Sequence, residues 1–218
     1  MYIHINRQIL FYKKTGEGSP ILLLHGNGED HTIFDALIPQ LEQSHTVYAI
    51  DSRGHGASNP TEDYHYSGMA EDIKELITSL EIDSPIIYGF SDGGIIGLLI
   101  ALHYPGLISR LIISGANLNP HGMKWTFLHK IKQHYKKSGS PLDRLMLDEP
   151  DIDPNALSQI QIPVLVLAGS SDIVKPAHTK LIAEKIPYSQ LQIIEGEDHG
   201  SYIIHSSRLY PYIRDFIS

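Results

Sequence analysis

Six short apolar runs with little polar alternation inside them constrain the fold of this 218-residue chain more than any other feature. Strands that are apolar on both faces belong to parallel sheets covered by helices on each side. The runs are ILLL from Ile21, VYAI from Val47, PIIY from Pro85, LIIS from Leu111, PVLVL from Pro163 and LQII from Leu191. Because helical patterns separate most of them, the chain is predicted to be an α/β protein with a doubly wound, mostly parallel sheet.

Helical periodicity between the runs supports this prediction. One helix is expected after Ser67, a plausible capping residue, because apolar residues then repeat with helical spacing at Ala70, Ile73, Leu76, Ile77 and Leu80. Further helices are expected over residues 95–103, 178–186 and 210–217. Residues 1–15 are expected to form an antiparallel hairpin that turns near residues 6–8.

The segment 117–161 breaks the alternation of strand and helix. It contains no clear strand, four prolines and one helical pattern, WTFLHKIKQHY. We therefore predict a single domain over residues 1–218, with residues 117–161 as a short cap insertion over the sheet. Ligands of open α/β sheets bind at the carboxyl ends of the strands, so functional residues are expected directly after the apolar runs.

Composition limits the classes of partner. The formal net charge of −8 disfavours non-specific nucleic-acid binding, and the absence of cysteine excludes disulfides and thiolate metal sites. The N-terminus lacks a basic segment followed by an apolar one, and the longest apolar run, from Ile95, is too short to span a bilayer. We expect a cytoplasmic monomer or homodimer without nucleic-acid or membrane partners.

The stretch GFSDG at residues 89–93 matches the pattern G-x-S-x-G, with a predicted strand before it and a helix after it. This context is typical of a sharp strand-to-helix turn that exposes a nucleophilic serine. The glycines on either side allow the strand and the helix to pass close together. Ser91 is therefore the candidate nucleophile, although a glycine-rich turn with an ordinary capping serine remains the alternative interpretation.

A nucleophilic serine needs a base, and the base needs a group that orients it. Asp172 follows the run from Val164, and His199 follows the next run along the chain. The order serine, aspartate, histidine is that of hydrolases built on this turn. We expect His199 to accept the serine proton and Asp172 to hold the other ring nitrogen.

The glycine-rich stretch HGNG at residues 25–28 follows the first parallel strand. A tetrahedral intermediate needs hydrogen-bond donors for its oxyanion. The backbone N–H groups of Asn27 and Asp92 are the candidate donors. Gly28 is an alternative to Asn27 and a candidate substrate contact, while a plain turn is the other interpretation of this loop.

These motifs together resemble the α/β-hydrolase superfamily over essentially the whole chain. In family order they are HGNG, DSRGHGAS from Asp51, GFSDGG, GSSD and EDHG. The elbow GFSDGG is similar to that of small serine esterase-like members, such as valacyclovir-hydrolase-like enzymes. The resemblance implies a structural role for the loop at Asp51 and Arg53, and Ser91 argues against the haloalkane dehalogenases, which use a nucleophilic aspartate.

Two features depart from many relatives. The segment between the strands near residues 114 and 163 is short, which predicts an open pocket. Some relatives place the acid after the earlier of these strands, where this chain has Asn117, so Asp172 keeps that role. Trp125 and Leu128 are expected to lie on a helix face that binds the acyl group, although packing onto the sheet explains the same pattern.

The sequence thus predicts a serine hydrolase that cleaves a small carboxylic ester, or a close analogue, through an acyl-enzyme and without a cofactor. No H-E-x-x-H pattern accompanies the acidic residues beside His199, so no metal is expected there. Thioesterase, lactonase, amidase, carbon–carbon bond hydrolase and perhydrolase activities remain open on the same fold. A ligand-binding receptor that retains the three residues without turnover is the alternative from another functional class.

Overall fold

One eight-stranded sheet forms the centre of the computed structural model, which describes residues 1–218. The strands are β1 (Tyr2–Ile5), β2 (Gln8–Thr15), β3 (Ser19–Leu24), β4 (His45–Ile50), β5 (Ile86–Phe90), β6 (Arg110–Ser114), β7 (Val164–Gly169) and β8 (Ser189–Ile194). Their spatial order is β1-β2-β4-β3-β5-β6-β7-β8. Strands β1 and β2 form an antiparallel hairpin, β2 pairs antiparallel with β4, and all remaining pairs are parallel.

Helices cover both faces of the sheet. They are α1 (Ile38–Leu41), α2 (Tyr66–Ser79), α3 (Asp92–His103), α4 (Trp125–Ser138), α5 (Pro141–Asp148), α6 (Pro176–Lys185) and α7 (Tyr210–Ile217). Short 3-10 helices span His31–Phe34, Pro120–Gly122 and Pro154–Gln159.

Two hydrophobic clusters fill the space between the sheet and its helices. The larger cluster includes side chains of α2, α3 and α6, and the smaller includes those of α1 and α7. Every residue of β5 and of β7 is buried, because both faces of these strands are covered. The predicted doubly wound, mostly parallel sheet and its N-terminal hairpin are therefore confirmed.

One local prediction was wrong, and one helix was missed. Helix α2 begins at Tyr66, so Ser67 lies inside its first turn and does not cap it. The Tyr66 N–H instead donates to Oε2 of Glu149 over 3.1 Å, a partner that lies 83 positions away in sequence. Helix α5 was not predicted, because its eight residues are too few to show a clear helical period.

The segment that was predicted as a cap contains α4, α5 and two of the 3-10 helices. Helix α4 has no buried residue. The segment is joined to the loop after β7, where Met123 forms an isolated bridge with Val174 and the Lys124 N–H donates to the Ile173 carbonyl over 2.8 Å. This junction places the segment beside the carboxyl end of β7.

None of the helices combines enough length with enough apolar character to cross a membrane.

Candidate active site

The turn between β5 and α3 holds Ser91 in a strained backbone conformation, with φ of 51° and ψ of −113°. Gly89 and Gly93, two residues before and after Ser91, are required because other backbone atoms approach them closely. A Cβ atom on Gly89 would lie 2.2 Å from the Gly93 carbonyl oxygen, and one on Gly93 would lie 2.2 Å from the Leu24 carbonyl oxygen. The backbone therefore forms the predicted elbow, with the serine at the carboxyl edge of the sheet.

The structure brings Ser91, His199 and Asp172 into one hydrogen-bonded chain. Ser91 Oγ lies 3.1 Å from His199 Nε2, and His199 Nδ1 lies 2.7 Å from Asp172 Oδ1. The Val174 N–H also donates to Asp172 Oδ1 over 2.9 Å, which fixes the carboxylate. Because the Asp172 carboxylate can only accept, Nδ1 of His199 carries the ring proton, and Nε2 is free to accept the serine proton.

Gly115, directly after β6, makes room for the imidazole. It has a φ of 64°, and a Cβ atom there would lie 2.6 Å from Cε1 of His199. The sequence interpretation missed this glycine. Its position directly after a buried strand was the available signal, since that is where functional residues were expected.

The backbone N–H groups of Asn27 and Asp92 have no hydrogen-bond partner within the chain, and both residues line the cavity above Ser91. They are available to an oxyanion. The expected roles of Gly28 are contradicted, because its N–H donates to Nε2 of His55 over 3.1 Å and the residue does not line the cavity.

The carboxylate of Asp92 connects three parts of the site. Its Oδ1 accepts from the Tyr66 hydroxyl over 2.8 Å, and its Oδ2 accepts from the Asn27 side-chain amide over 3.0 Å. Burial raises the pKa of Asp92, and these two hydrogen bonds oppose that shift. The side chain thus holds the loop at residue 27 against the elbow.

The buried imidazoles of His25 and His55, which the sequence interpretation did not assign to the site, support the same loop. His25 Nε2 accepts from the Ser52 N–H over 3.0 Å, and its Nδ1 donates to the Gly26 carbonyl over 2.8 Å. Burial, with a contribution from nearby His55, lowers the pKa of His25 to about 4. The ring therefore stays neutral, which its role as an acceptor at Nε2 requires.

A cavity of about 340 Å³ opens above Ser91. Its apolar wall comes partly from the segment between β6 and β7, through Met123, Phe127, Ile131 and Met146. The expectation for Trp125 and Leu128 was wrong, because neither lines this cavity and Trp125 is 74% exposed. At about 100° of rotation per residue, a helix that turns Phe127 and Ile131 inward points Trp125 away.

The charged side chains that line this cavity are all acidic. They belong to Glu29, Asp92 and Glu149, and no lysine or arginine lines it. Burial raises the pKa of Glu29, which accepts a hydrogen bond from the Gly26 N–H over 3.0 Å. Glu149 accepts from His65 and from the Tyr66 N–H.

Other polar residues near the site have partners that explain their burial. Arg53 binds both carboxylate oxygens of Asp72, over 2.7 Å and 2.9 Å. Asp51 accepts from the His31 N–H and ring and from the Ala57 N–H. Although Asp30, His31 and Asp51 place ligand-type atoms within 4.8 Å of one another, hydrogen bonds within the chain already use these groups.

The sheet is an open α/β sheet, and a serine on a strained elbow is hydrogen-bonded to a histidine, which is in turn hydrogen-bonded to an aspartate. This arrangement is typical of α/β proteins with a nucleophile elbow. Residues 19–136 match the family model described as the alpha/beta hydrolase fold. The chain belongs to this family.

Individual relatives agree with this assignment. The chain is 26% identical to the human serine hydrolase BPHL, over 99% of this chain and 85% of that protein. It is 36% identical to the uncharacterized protein Mb2734 of Mycobacterium bovis, over 94% and 77% of the two chains. Among solved structures, the esterase EaEST of Exiguobacterium antarcticum superposes with a TM-score of 0.84 at 20% identity, covering 99% and 97%.

Proposed function

We propose that the protein is a serine hydrolase that cleaves small carboxylic esters through an acyl-enzyme on Ser91. The observation that carries the proposal is the pair of distances in the hydrogen-bonded chain, 3.1 Å from serine to imidazole and 2.7 Å from imidazole to carboxylate. The first lies within the range in which a base can take a proton from a nucleophile, and the second lets the carboxylate orient that base. The esterase and serine hydrolase relatives support the same class of reaction.

In the first half-reaction, Ser91 Oγ attacks the ester carbonyl carbon while its proton moves to Nε2 of His199. The carbonyl oxygen becomes an oxyanion that accepts from the free N–H groups of Asn27 and Asp92. When the tetrahedral intermediate collapses, the bond to the alcohol oxygen breaks, and the imidazolium gives its proton to that oxygen. Asp172 stabilises the imidazolium throughout.

In the second half-reaction, His199 takes a proton from water, and the resulting hydroxide attacks the acyl carbon. Collapse of the second intermediate releases the carboxylic acid and returns the proton to Ser91 Oγ. These residues supply nucleophile, base and oxyanion donors, so the proposed mechanism includes no cofactor.

The acidic lining of the cavity sharpens the proposed substrate class. A carboxylate on the acyl group would be desolvated beside the carboxyl groups of Glu29 and Glu149, which costs free energy through like-charge repulsion. We expect uncharged acyl groups to be preferred over acyl groups with a terminal carboxylate.

The test is a hydrolysis screen with p-nitrophenyl esters of increasing acyl length, run beside Ser91→Ala. We expect turnover of short uncharged esters, at least tenfold lower kcat/KM for the mono-p-nitrophenyl ester of succinic acid than for the butyrate, and loss of turnover in the variant. Activity that survives in Ser91→Ala would refute the mechanism.

Thioesters, lactones, amides, carbon–carbon bonds and perhydrolysis belong in the same screen, since related folds host different reactions. The alternative that the protein is a ligand-binding receptor predicts a different result in this screen. Such a protein would bind its ligand, and a fluorophosphonate could label Ser91, but none of these substrates would be turned over.

A further inference from the structure

The two residues that carry the proposed oxyanion donors are joined to each other by their side chains. The backbone N–H groups of Asn27 and Asp92 are both free, and the Asn27 side-chain amide donates to Asp92 Oδ2 over 3.0 Å. This bond connects the loop after β3 with the start of α3, across 65 positions of the sequence. The relative position of the two N–H groups therefore depends in part on where the Asp92 carboxylate is held.

The other oxygen of this carboxylate is held by Tyr66. The Tyr66 hydroxyl donates to Asp92 Oδ1 over 2.8 Å, and the two residues are only 1% and 6% exposed. Tyr66 is itself fixed, because it is the first residue of α2 and its N–H donates to Glu149, directly after α5. A buried carboxylate needs donors, and the hydroxyl of Tyr66 and the amide of Asn27 are the two side-chain donors that Asp92 has.

We propose that Tyr66 is a positioning residue for the oxyanion hole and acts through the Asp92 carboxylate. This inference rests on the proposed function. The Tyr66 hydroxyl orients the carboxylate, the carboxylate holds the Asn27 side chain, and the two free N–H groups stay directed at the position of the oxyanion. Donors that are held in place before the reaction stabilise the charge that develops in the transition state, because they do not have to reorganise.

A positioning role of this kind has a kinetic signature. The uncharged carbonyl of a bound ester gains little from the two N–H groups, whereas the oxyanion depends on them, so their misplacement lowers kcat and leaves KM nearly unchanged. Both half-reactions form an oxyanion, so both are slowed together. A direct contact between the Tyr66 hydroxyl and the substrate would instead raise KM when the hydroxyl is removed.

Tyr66→Phe removes the hydroxyl and keeps the ring. With p-nitrophenyl butyrate we expect kcat to fall about tenfold and KM to change by less than about twofold, since a displaced donor costs less than the roughly hundredfold of a lost one. Tyr64→Phe is the matched control and should leave both constants unchanged. The Tyr64 hydroxyl reaches only the Gly54 carbonyl, over 3.4 Å, and Tyr64 does not line the cavity.

Fluorophosphonate titration of Ser91 gives the concentration of correctly folded sites, so that kcat is calculated per active site and a partly unfolded variant does not mimic the effect. A kcat for Tyr66→Phe equal to that of the unsubstituted protein would overturn the proposal. A rise in KM without a fall in kcat would overturn it as well, because it would assign the hydroxyl to substrate binding.

Two substitutions of Asp92 separate its hydrogen bonds from its charge. Asp92→Asn can keep both contacts, because its oxygen accepts from Asn27 and its amide donates to the Tyr66 hydroxyl oxygen. We expect its kcat to stay within about threefold of the unsubstituted value, whereas Asp92→Ala should lose at least the roughly tenfold expected for Tyr66→Phe. Equal losses in Asp92→Asn and Asp92→Ala would show that the charge matters rather than the position, and would overturn the proposal.

A trifluoromethyl ketone tests the same geometry without turnover. Ser91 Oγ adds to its carbonyl carbon, the serine proton moves to His199, and the carbonyl oxygen becomes an oxyanion in the hole. Its dissociation constant, measured by protection of Ser91 from the fluorophosphonate, should rise about tenfold in Tyr66→Phe and stay unchanged in Tyr64→Phe. Equal constants in the unsubstituted protein and in Tyr66→Phe would overturn the proposal. The expected rise in a protein that hydrolyses no ester would support the positioning role and reject the proposed function instead.

Discussion

The elbow under Ser91 and the segment that carries α4 differ in how tightly the chain is packed around them. A Cβ on Gly93 would lie 2.2 Å from a backbone oxygen, whereas Gly139, at the end of α4, has nothing within 4 Å of the equivalent position. Every residue of β5 is buried, and none of α4 is. The proposed nucleophile thus lies on closely packed backbone, whereas Phe127 and Ile131 of the cavity wall lie on a helix without a buried residue.

The two regions therefore serve different properties of the protein. Proton transfer needs atoms held to within a fraction of an ångström, and close packing around the elbow provides this for Ser91. Substrate choice depends on the shape of a wall that can change without disturbing those atoms.

The largest difference in stability between the two regions is expected from the same substitution, glycine to alanine, made once in each. Gly93→Ala should lower the free energy of unfolding by about 3 kcal/mol or more, because the backbone must move to relieve the clash with Leu24. Gly139→Ala should cost about 1 kcal/mol, since only its φ of 65° is unfavourable. Urea unfolding monitored by circular dichroism measures both, and similar losses would contradict the difference in packing.

A second prediction concerns how the free energy of unfolding changes as the pH falls. The folded protein holds His25 with its pKa lowered to about 4 by burial, whereas an unfolded histidine titrates near 6.5. Between those values only the unfolded state takes up the proton, so stability falls as the pH drops below about 6.5. We expect this group to contribute a loss of about 2 kcal/mol between about pH 7 and pH 5.

His25→Gln is the comparison variant, because it removes the titrating group from the loop. Its free energy of unfolding should depend less on pH over this interval than that of the unsubstituted protein, whatever its absolute stability. Identical pH slopes for the two proteins would show that His25 does not titrate as its burial implies.

The smallest effect on stability is expected in α4. Phe127→Ala should raise KM about tenfold for a medium-chain ester, through lost apolar contact, and change the free energy of unfolding by less than about 1 kcal/mol. Trp125→Ala is the matched control and should leave KM unchanged, because Trp125 is exposed and outside the cavity. A loss of kcat rather than a rise in KM would instead tie α4 to the chemical step.

The sequence predicted the tightly packed region better than the loosely packed one. Five of the six continuous apolar runs mark strands with buried centres, although the run from Leu191 forms the half-exposed edge strand β8. The pattern at residues 89–93 carries its own structural context, so the sheet and the elbow were predicted. The pairing of Ser91, His199 and Asp172 followed from strand order, since all three lie after strands that end at one edge of the sheet.

What the sequence did not reveal depends on helix rotation and on long-range contacts. The amphipathic pattern of α4 is broad, and its apolar residues did not indicate whether Trp125 or Phe127 would face the cavity. The hydrogen bond from the Tyr66 N–H to Glu149 joins residues 83 positions apart, and no local sequence pattern encodes such a contact. The buried imidazole of His25 was similarly invisible, because its partner Ser52 lies on another loop.

The central claim is that Ser91 is a nucleophile activated by His199. Labelling with a fluorophosphonate, mapped by mass spectrometry of proteolytic peptides, tests it most directly. The account predicts a covalent adduct on the peptide that contains Ser91, no adduct in Ser91→Ala, and labelling slowed at least a hundredfold in His199→Ala, on the order of a lost general base. An adduct on another residue, or equal labelling rates with and without His199, would contradict it.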